Sequence, residues 1–515
     1  MSPLSLLSLS FLLLLPFFLP VSSSQPPKGV LIDCGATVGS VIKDGREWLP
    51  DGDYVSAGVG KNLTIPVLVP TLSTVRTFPF RNNVGRKFCY DVPVYRLARY
   101  MVRTTYFYGG VNGRSSPPVF DQIVDGTLWG VVNTTEDYRK GSASYYEGVF
   151  EAKGKSMSVC LGVNSHTDSD PFISALEFVI LGDSLYNTTK FDVNGLSLVA
   201  RHSFGYSGPT IRYPDDPFDR FWEQYGENNY VIVSSSPPNV SRFWNWPPSK
   251  VFEAALSTDQ PQSLELRWPP VSLQNASYYI ALYFADTESR PTSTMLGISI
   301  NNVTYYRNLN VTHAGAAVFA TSWPLIGNTK IILRPTSNSE ISPLINAGEI
   351  FQVLELGGRT LTKDVIALEE IKKSLQNPPL DWNGDPCLPR HYRWTGVTCF
   401  EGTRIRVITL NLTGLGLLGS VSPKIGNLTA LTGIWLGNNR LSGKIPDLSS
   451  LKMLEILHLE DNKLSGEIPS SLGDNQKLRE IFLQNNNLTG HIPDSLIGRK
   501  ELNLTTSPGN PFLSR

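Results

Sequence analysis

Charged residues are scarce in this sequence. Only 17% of its 515 residues are Asp, Glu, Lys or Arg, whereas an average soluble protein has about 25%. The 45 basic residues balance 45 acidic ones, so no overall field would attract nucleic acid or an acidic membrane surface. We therefore expect no nucleic-acid partner, and something other than charge must keep the surface soluble.

Long apolar runs are scarce after the first twenty residues. The run Leu4–Leu19, followed by the small polar residues Ser22–Ser24, is typical of a secretory signal peptide, which we place at residues 1–24 although no Lys or Arg precedes the run. The alternative is an uncleaved anchor, but a full span needs about 20 apolar residues without prolines, and Pro16 interrupts this run. We expect a secreted, extracellular mature chain that has no membrane span and meets a membrane only through a partner.

Catalytic motifs are missing as well. The six histidines are scattered, and the sequence has no H-E-x-x-H, no G-x-S-x-G and no clustered thiol and imidazole. We therefore expect no enzyme, no cofactor and no metal site. A glycosidase needs only two carboxylates brought together by the fold, so a carbohydrate-active enzyme is kept as an unfavoured alternative.

Glycosylation sequons are abundant and support secretion independently. Each has Ser or Thr two positions after the asparagine and no proline between. Neutral glycans at these sites would solvate a surface that is poor in charge. The eleven asparagines are Asn62, Asn133, Asn187, Asn239, Asn275, Asn302, Asn310, Asn411, Asn427, Asn487 and Asn503.

The first two thirds of the chain has the pattern of a duplicated all-β region. The whole chain has 20 Tyr, 23 Phe and 10 Trp, with 43 Gly and 37 Pro. This composition favours short strands and turns. Pro171–Glu177 matches Pro343–Glu349 at an offset of 172, and Tyr106-Phe107 matches Tyr283-Phe284 at 177. We predict two β-sandwiches, at residues 25–190 and 191–357.

The period of the sequence then changes twice. Val365, Leu368, Ile371 and Leu375 recur at helical spacing and predict a short helix in a linker and cap at residues 358–403. Residues 404–498 repeat every 23 or 24 positions, which predicts four coils of a leucine-rich repeat followed by a tail at 499–515. The repeat is carried by Leu412, Leu436, Leu459 and Leu483, by Asn439, Asn462 and Asn486, and by Ile445-Pro446, Ile468-Pro469 and Ile492-Pro493.

The repeat strands predict a surface for a partner. On each strand the residue between two inward apolar residues must point out of the concave face. These positions form a column of Asn411, Trp435, His458 and Phe482, with Glu460 and Gln484 in the next column. Exposed aromatics favour a partner-binding site. The alternatives are that the column packs against the second sandwich or is simply solvated.

These features together resemble the plant malectin-like, leucine-rich-repeat receptor family over residues 29–498. The implied fold is mainly β, with tandem malectin-like sandwiches before a short repeat solenoid, and most relatives continue into a transmembrane helix and a kinase. The resemblance implies a cap disulfide between Cys387 and Cys399, while the pairing among the other three cysteines stays open. It is carried by Ile32-Asp33-Cys34-Gly35, Lys87-Phe88-Cys89-Tyr90, Pro171–Glu177, Gly384–Cys387, Trp394–Cys399 and the Ile-Pro repeats.

The resemblance to malectin also suggests carbohydrate contacts in the first sandwich, because sugars stack on aromatic rings. The alternative is that these rings belong to an ordinary strand core. The candidate residues are Tyr106, Phe107, Tyr108, Asp125, Trp129, Tyr145 and Tyr146.

The resulting hypothesis is a secreted, non-catalytic, receptor-like protein of the plant apoplast. It would bind a cell-wall glycan or an extracellular peptide and act with a membrane receptor kinase as co-receptor. A second hypothesis is a truncated or alternative ectodomain product of a receptor kinase, and a third, unfavoured one is a wall-modifying enzyme.

Overall fold

Strands dominate the structure, as the sequence predicts. The computed structural model describes residues 29–41, 45–65, 69–80, 86–226, 230–234, 237–259, 262–286, 294–336, 342–402 and 404–514, and the predicted signal segment lies outside them. The mainly β class, with sandwiches followed by repeats, is confirmed. No helix in the described ranges is long and apolar enough to cross a membrane.

The first sandwich packs antiparallel strands in two main layers. One layer is formed by β1, β13, β7 and β10, and the other has the order β6-β11-β8-β9. Aromatic and aliphatic side chains from both layers fill one core between them. The elements are β1 (Gly29–Asp33), β2 (Ser40–Val41), β3 (Glu47–Pro50), β4 (Val59–Asn62), β5 (Thr74–Thr77), β6 (Lys87–Pro93), β7 (Arg99–Tyr106), β8 (Phe120–Val124), β9 (Thr127–Val132), α1 (Thr135–Arg139), β10 (Ser144–Glu151), β11 (Ser156–Gly162), β12 (Phe172–Ile173) and β13 (Ala175–Leu181).

The second sandwich repeats this topology, in agreement with the offsets in the sequence. The pairing of β1 with β13 and of β13 with β7 recurs as β14 with β25 and β25 with β19. Glu177 and Glu349 therefore occupy equivalent positions on β13 and β25. The elements are β14 (Asn194–Phe204), β15 (Glu223–Tyr225), β16 (Val231–Ser234), β17 (Ala254–Ser257), β18 (Leu264–Leu266), β19 (Leu273–Phe284), β20 (Thr294–Ile300), β21 (Val303–Val311), β22 (Ala316–Gly327), β23 (Ile331–Pro335), β24 (Leu344–Ile345) and β25 (Ala347–Glu355).

One sheet runs through both sandwiches. Gly148 and Val149 of β10 pair with Ser197 and Leu196 of β14, which joins the two halves in the order β2-β3-β1-β13-β7-β10-β14-β25-β19-β22. The boundary predicted between residues 190 and 191 lies between β13 and β14, and both strands belong to this one sheet. The sequence offered no sign of the β10–β14 pairing.

A row of alternating charges crosses this sheet, and its arginines are contacted by Asp219 and Trp222, which follow β14 in the chain. Arg103 of β7 contacts Glu177 of β13 at 3.1 Å and Glu147 of β10 at 2.8 Å. Arg201 of β14 continues the row, at 2.8 Å from Glu147 and 3.1 Å from Glu349 of β25. Burial alone would raise the pKa of Glu147, but the two arginines outweigh it and lower that pKa. The row ties the two sandwiches together ionically.

A buried histidine makes the second sandwich sensitive to acid. The indole Nε1 of Trp268 donates to Nδ1 of His202 at 3.0 Å, so the ring accepts there and is neutral. Burial lowers the pKa of His202 to about 4, whereas an unfolded histidine titrates near 6.5. The stabilisation by neutral His202 is therefore complete above pH 6.5 and is lost as the pH falls toward 4.

We expect the contribution of neutral His202 to the free energy of unfolding to fall by about 3 kcal/mol, since each pKa unit is worth about 1.4 kcal/mol. The measurement is the free energy of unfolding from pH 7 to 4 for the wild type and for His202→Gln, which keeps an acceptor but does not titrate. The difference between the two proteins should shrink or reverse over that window. His166→Gln, at an exposed position, is the control, and parallel curves for all three proteins would contradict the prediction.

The cap begins with a helix, as its periodicity predicts. Helix α2 spans Thr362–Ser374 and buries Ala367, Leu368 and Ile371 against the repeat core. The indoles of Trp382 and Trp394 stack at 5.1 Å between ring centroids behind the Cys387–Cys399 disulfide. The cap thus covers the first coil, whose apolar end would otherwise face water.

The repeats form two sheets of parallel strands, one on the concave face and one behind it, and β26 of the cap joins the concave sheet antiparallel to β27. The concave sheet has the order β26-β27-β29-β31-β33-β35, and the rear sheet β28-β30-β32-β34-β36. Leucines from both sheets fill a continuous core. The strands are β26 (Val397–Phe400), β27 (Arg406–Asn411), β28 (Leu418–Ser420), β29 (Gly433–Trp435), β30 (Arg440–Gly443), β31 (Ile456–His458), β32 (Lys463–Gly466), β33 (Glu480–Phe482), β34 (Asn487–His491), β35 (Asn503–Thr505) and β36 (Phe512–Ser514).

Where the sequence predicts a tail at residues 499–515, the structure has two strands. Strand β35 pairs with β33 and β36 pairs with β34, so the segment forms a further coil. Asn510 follows Asn486 by 24 positions, and its side chain continues the buried asparagine ladder, donating to Leu483 O at 2.9 Å. This spacing was the signal that could have extended the repeat.

The cap is docked on the first sandwich rather than on the second, which precedes it in the chain. The buried Lys87 ammonium donates to the carbonyls of Asp385 and Leu388 at 2.5 Å each, and burial lowers its pKa to about 8. The Tyr392 hydroxyl donates to Asp121 at 2.7 Å. The repeats are thereby held in a set orientation to the sandwiches.

Candidate functional site

The concave sheet of the repeats presents a column of side chains on neighbouring strands. Parallel pairing aligns Asn411 with Trp435, Trp435 with His458 and His458 with Phe482. Thr505 of β35 extends the column by one position. The register is the one that the repeat period predicts, because each strand enters the sheet one coil after the last.

The three aromatic side chains of this column, Trp435, His458 and Phe482, touch one another and are called the aromatic column below. The imidazole of His458 stacks on the phenyl ring of Phe482, with 4.2 Å between centroids and 14° between planes. The indole of Trp435 meets His458 edge-on at 6.1 Å. Each residue is only partly buried, so part of each side chain is accessible.

Two glycines make room for the side chains around the column. A Cβ on Gly433 would lie 2.1 Å from the Trp435 ring, and a Cβ on Gly437 would lie 2.2 Å from a carboxylate oxygen of Glu460. The indole therefore occupies the space over Gly433, and the carboxylate occupies the space over Gly437.

Acidic groups stand on both sides of the aromatic column. Glu480 lies in the column that contains Gly433 and is hydrogen-bonded to His458, with 3.0 Å between Oε2 and Nε2. Glu460 and Gln484 lie on the opposite side, and each has one buried side-chain oxygen with no hydrogen-bond partner among the described residues. The surface offers acceptors that lack donors.

The sandwich aromatics predicted to contact carbohydrate are placed differently from this column. Tyr106 is fully buried, packs on Phe120 and Phe172, and donates its hydroxyl hydrogen bond to Gln122. Burial raises the pKa of its phenol. Phe107 and Tyr108 are also buried, as expected for the alternative of an ordinary strand core.

The remaining carbohydrate candidates have partners within the protein. Trp129 is buried against Phe150 and donates to Ser197 at 3.0 Å. Half-buried Tyr145 donates to Glu223 at 2.7 Å, and the hydroxyl of half-buried Tyr146 accepts from the Asn133 amide at 3.1 Å. Asp125 sits in a turn at φ 44°, accepts from the Ser158 amide and pairs with Arg359. Trp129 presents no free aromatic face to solvent, whereas Tyr145 and Tyr146 stay partly exposed. The sequence does not separate these cases, because strand aromatics look alike in sequence whichever way they point.

Comparison with known protein families bears on both regions. The malectin-like domain model matches residues 32–353. The chain belongs to the malectin-like domain family. The leucine rich repeat N-terminal domain matches residues 361–400, and the leucine rich repeat matches residues 453–475 and 477–498.

Curated relatives of this malectin-like protein are receptor-like kinases. The probable LRR receptor-like serine/threonine-protein kinase At1g67720 of Arabidopsis thaliana is 31% identical over 86% of this chain and 49% of its own length. The probable LRR receptor-like protein kinase At1g51890 of the same plant is 30% identical over 82% of this chain and 49% of its own. The chain spans about half the length of the curated relatives it matches.

Solved structures share the fold of the malectin-like region. The ANX1 ectodomain from Arabidopsis thaliana matches with a TM-score of 0.53 at 16% identity, over 63% of this chain and 96% of its own. A structure of the plant peptide RALF23 in complex with FER and LLG2 matches with a TM-score of 0.52 at 17% identity, over 64% of this chain and 96% of the other. These likenesses concern the fold alone.

Four cysteines of the malectin-like chain are paired. Cys387 and Cys399 are bonded as the resemblance implies, and Cys89 is bonded to Cys160, the pairing that the sequence left open. Cys34 is a buried thiol, and burial raises its pKa well above the usual value. The Cys89–Cys160 disulfide packs on Tyr392 of the cap, so it supports the junction between sandwich and repeats.

The sequon asparagines are accessible. Ten of the eleven are exposed and Asn427 is half-buried, as enzymatic glycan attachment requires. Asn411 and Asn503 are both exposed on the concave sheet, one on its strand β27 and the other on β35. Glycans there would flank the aromatic column, one next to Trp435 and the other next to Glu480.

A cleft between the first malectin-like sandwich and the cap was not predicted. Two neighbouring cavities of about 510 and 610 Å³ share Asp125, Arg359 and Thr362 in their walls, a size that suits a small ligand. The charged side chains of this cleft are largely paired within the protein, because Arg359 pairs with Asp125 and Lys153 with Glu151. No sequence motif marks this cleft, since it forms where distant segments meet.

Proposed function

We propose that this chain is a non-catalytic, extracellular recognition protein that binds a peptide segment of a partner on the concave face of its repeats. The observation that carries the proposal is the partly exposed aromatic column. Aromatic side chains dominate the energetics of interfaces, because they bury large areas with little loss of conformational freedom. A peptide is favoured over a cell-wall glycan because four of the sandwich rings that were candidates for sugar stacking are buried, those of Tyr106, Phe107, Tyr108 and Trp129.

The family supports a role in recognition at the cell surface. The relatives that match more than four fifths of this chain are receptor-like kinases, and the chain matches about half of their length. One protein with the same sandwich fold, FER, crystallised with the peptide RALF23 and with LLG2. This is an analogy of fold, which raises the case for a peptide ligand without identifying one.

We further propose that the protein acts with a membrane receptor kinase. The docked cap and the continuous sheet fix the repeats against the sandwiches, so ligand on the concave face and a co-receptor on a sandwich would be held in one geometry. The second candidate, an ectodomain product of a longer receptor kinase, uses the same recognition surface. Sequencing the transcript beyond Arg515 separates the two, because an in-frame kinase region would favour the second.

We expect truncation of the aromatic column to abolish most peptide binding. A random peptide library displayed on phage is selected on the purified wild-type protein, and the recovered peptides are synthesised and titrated by calorimetry. Trp435→Ala and Phe482→Ala should each weaken binding about 10-fold to 100-fold, as for central interface aromatics.

Phe512→Ala is the matched control, because Phe512 is 69% exposed but lies on the rear sheet. Its affinity should equal that of the wild type. The proposal is overturned if the selection recovers no peptide, or if the recovered peptides bind the column variants as tightly as the wild type.

A further inference from the structure

The three outward columns of the concave sheet carry charge of one sign, while the exposed Arg479 adjoins Glu480 at their edge. The three outward columns contain two carboxylates and no Lys or Arg, although the chain as a whole is neutral. This bias is local to the concave face. The columns are Thr409, Gly433, Ile456, Glu480 and Asn503; Asn411, Trp435, His458, Phe482 and Thr505; and Thr413, Gly437, Glu460 and Gln484.

We infer that the peptide segment bound here carries an Arg or Lys side chain, held over the aromatic column between Glu460 and Glu480. The inference rests on the proposed function and adds the chemistry of the ligand. A cation is attracted to the face of an aromatic ring, and most strongly to an indole. Trp435 offers an indole ring here, because it extends over Gly433 and is only partly buried.

Two side-chain oxygens on one side of the aromatic column lack hydrogen-bond donors. Oε2 of Glu460 and Oε1 of Gln484 have no partner among the described residues and are shielded from water. An unpartnered buried acceptor costs free energy until a donor reaches it. Guanidinium and ammonium groups carry only donors, so they match this side of the column, whereas an acidic peptide would add acceptors and like charge.

The opposite side of the column is arranged for the same ligand. Glu480 keeps 41% of its side chain exposed while it bonds to His458. Its carboxylate can therefore meet a ligand without being uncovered first. A side chain that crosses the column would have one carboxylate on each flank, and this arrangement discriminates against neutral residues of similar size.

The open length of the face limits the ligand to a short contact. Asn411 and Asn503 stand on strands β27 and β35, with β29, β31 and β33 between them. Parallel strands are spaced at about 4.8 Å, so the aromatic column spans roughly 10 Å. One long basic side chain covers most of that distance.

The test uses synthetic probes that differ at one position. Acetylated, amidated nonapeptides with a Gly-Ser frame carry Arg, Lys, Gln, Leu or Glu at the centre, and are titrated against the full glycosylated chain by calorimetry. The Arg and Lys probes should bind at least 10-fold more tightly than the Gln and Leu probes, and the Glu probe should not bind. Raising the salt concentration should weaken only the basic probes.

Variants of the carboxylates assign the effect to the site. Glu460→Gln and Glu480→Gln should each reduce the affinity of the Arg probe at least 5-fold and leave the Gln probe unchanged. Glu467→Gln, an exposed carboxylate near Gly490 of the rear sheet, is the matched control and should bind normally. Unchanged thermal midpoints verify that the three variants are folded.

The outcomes separate this inference from the proposed function. Binding that depends on Trp435 but not on ligand charge, or not on the two carboxylates, overturns the inference and leaves the proposed function standing. Binding by none of the basic probes also overturns the inference. Binding that is unchanged by Trp435→Ala and Phe482→Ala overturns both the inference and the proposed function.

Discussion

Replacing Arg103 by alanine is expected to lower the free energy of unfolding by about 3–5 kcal/mol, because it leaves buried carboxylates without their counter-charge. The guanidinium is fully buried and lies 2.8 Å from Glu147, 3.1 Å from Glu177 and 3.4 Å from Asp219. Its Nη2 also donates to the Asp219 carbonyl at 2.5 Å. The loss should be measured by denaturant unfolding at neutral pH, followed by tryptophan fluorescence.

An exposed ion pair of the same sandwich provides the comparison. Arg114 and Asp168 lie 3.1 Å apart, but their side chains are 52% and 56% exposed. Arg114→Ala should cost less than about 1 kcal/mol, as is usual for surface pairs. If Arg103→Ala proved as mild as Arg114→Ala, the charge row would not be a structural tie between the sandwiches.

Replacing Asn462 by alanine is expected to cost about 2–4 kcal/mol and to loosen the repeats more than the sandwiches. The Nδ2 group donates to the carbonyls of Leu436, Leu459 and Glu460 at 3.0–3.2 Å, and Oδ1 accepts from the Leu441 amide at 2.9 Å. Removing the amide leaves several buried backbone groups unpaired, each costing about 1–3 kcal/mol where no water replaces the partner. Hydrogen exchange with mass spectrometry should report faster exchange in strands β29 to β36.

The amide of Gln476 is a suitable control, since it is exposed in a neighbouring coil. Gln476→Ala should change stability by no more than about 0.5 kcal/mol. Faster exchange spread evenly over the whole chain, sandwiches included, would contradict a role confined to the repeats.

The sequence predicts most about the repeats, because there one period determines both the coil and the sheet. Each leucine of the motif fixes the register of its own strand, so the positions of Trp435, His458 and Phe482 follow from counting. The further coil at Asn503 was missed because it lacks the Ile-Pro pair, although Asn510 kept the spacing.

The sandwiches are less predictable for a physical reason. Two copies of a fold reveal themselves by offsets such as that between Glu177 and Glu349, but antiparallel partners are chosen by contacts that no local pattern records. The pairing of β10 with β14 is one such contact. In a strand that is buried on both faces, the sequence pattern does not show which way a side chain points. Tyr106 and Trp129 therefore could not be distinguished from surface aromatics.

The continuous sheet has a consequence for any attempt to study one sandwich by itself. Cutting the chain between the two copies would strip β14 from β10 and leave each half with a bare edge of unpaired amides and carbonyls. Such edges recruit strands from other molecules, and Glu147 would lose Arg201 at the same cut. A separated half is therefore prone to aggregate or to exchange strands with its neighbours. The two sandwiches together are the smallest unit that keeps the edges of β10 and β14 paired.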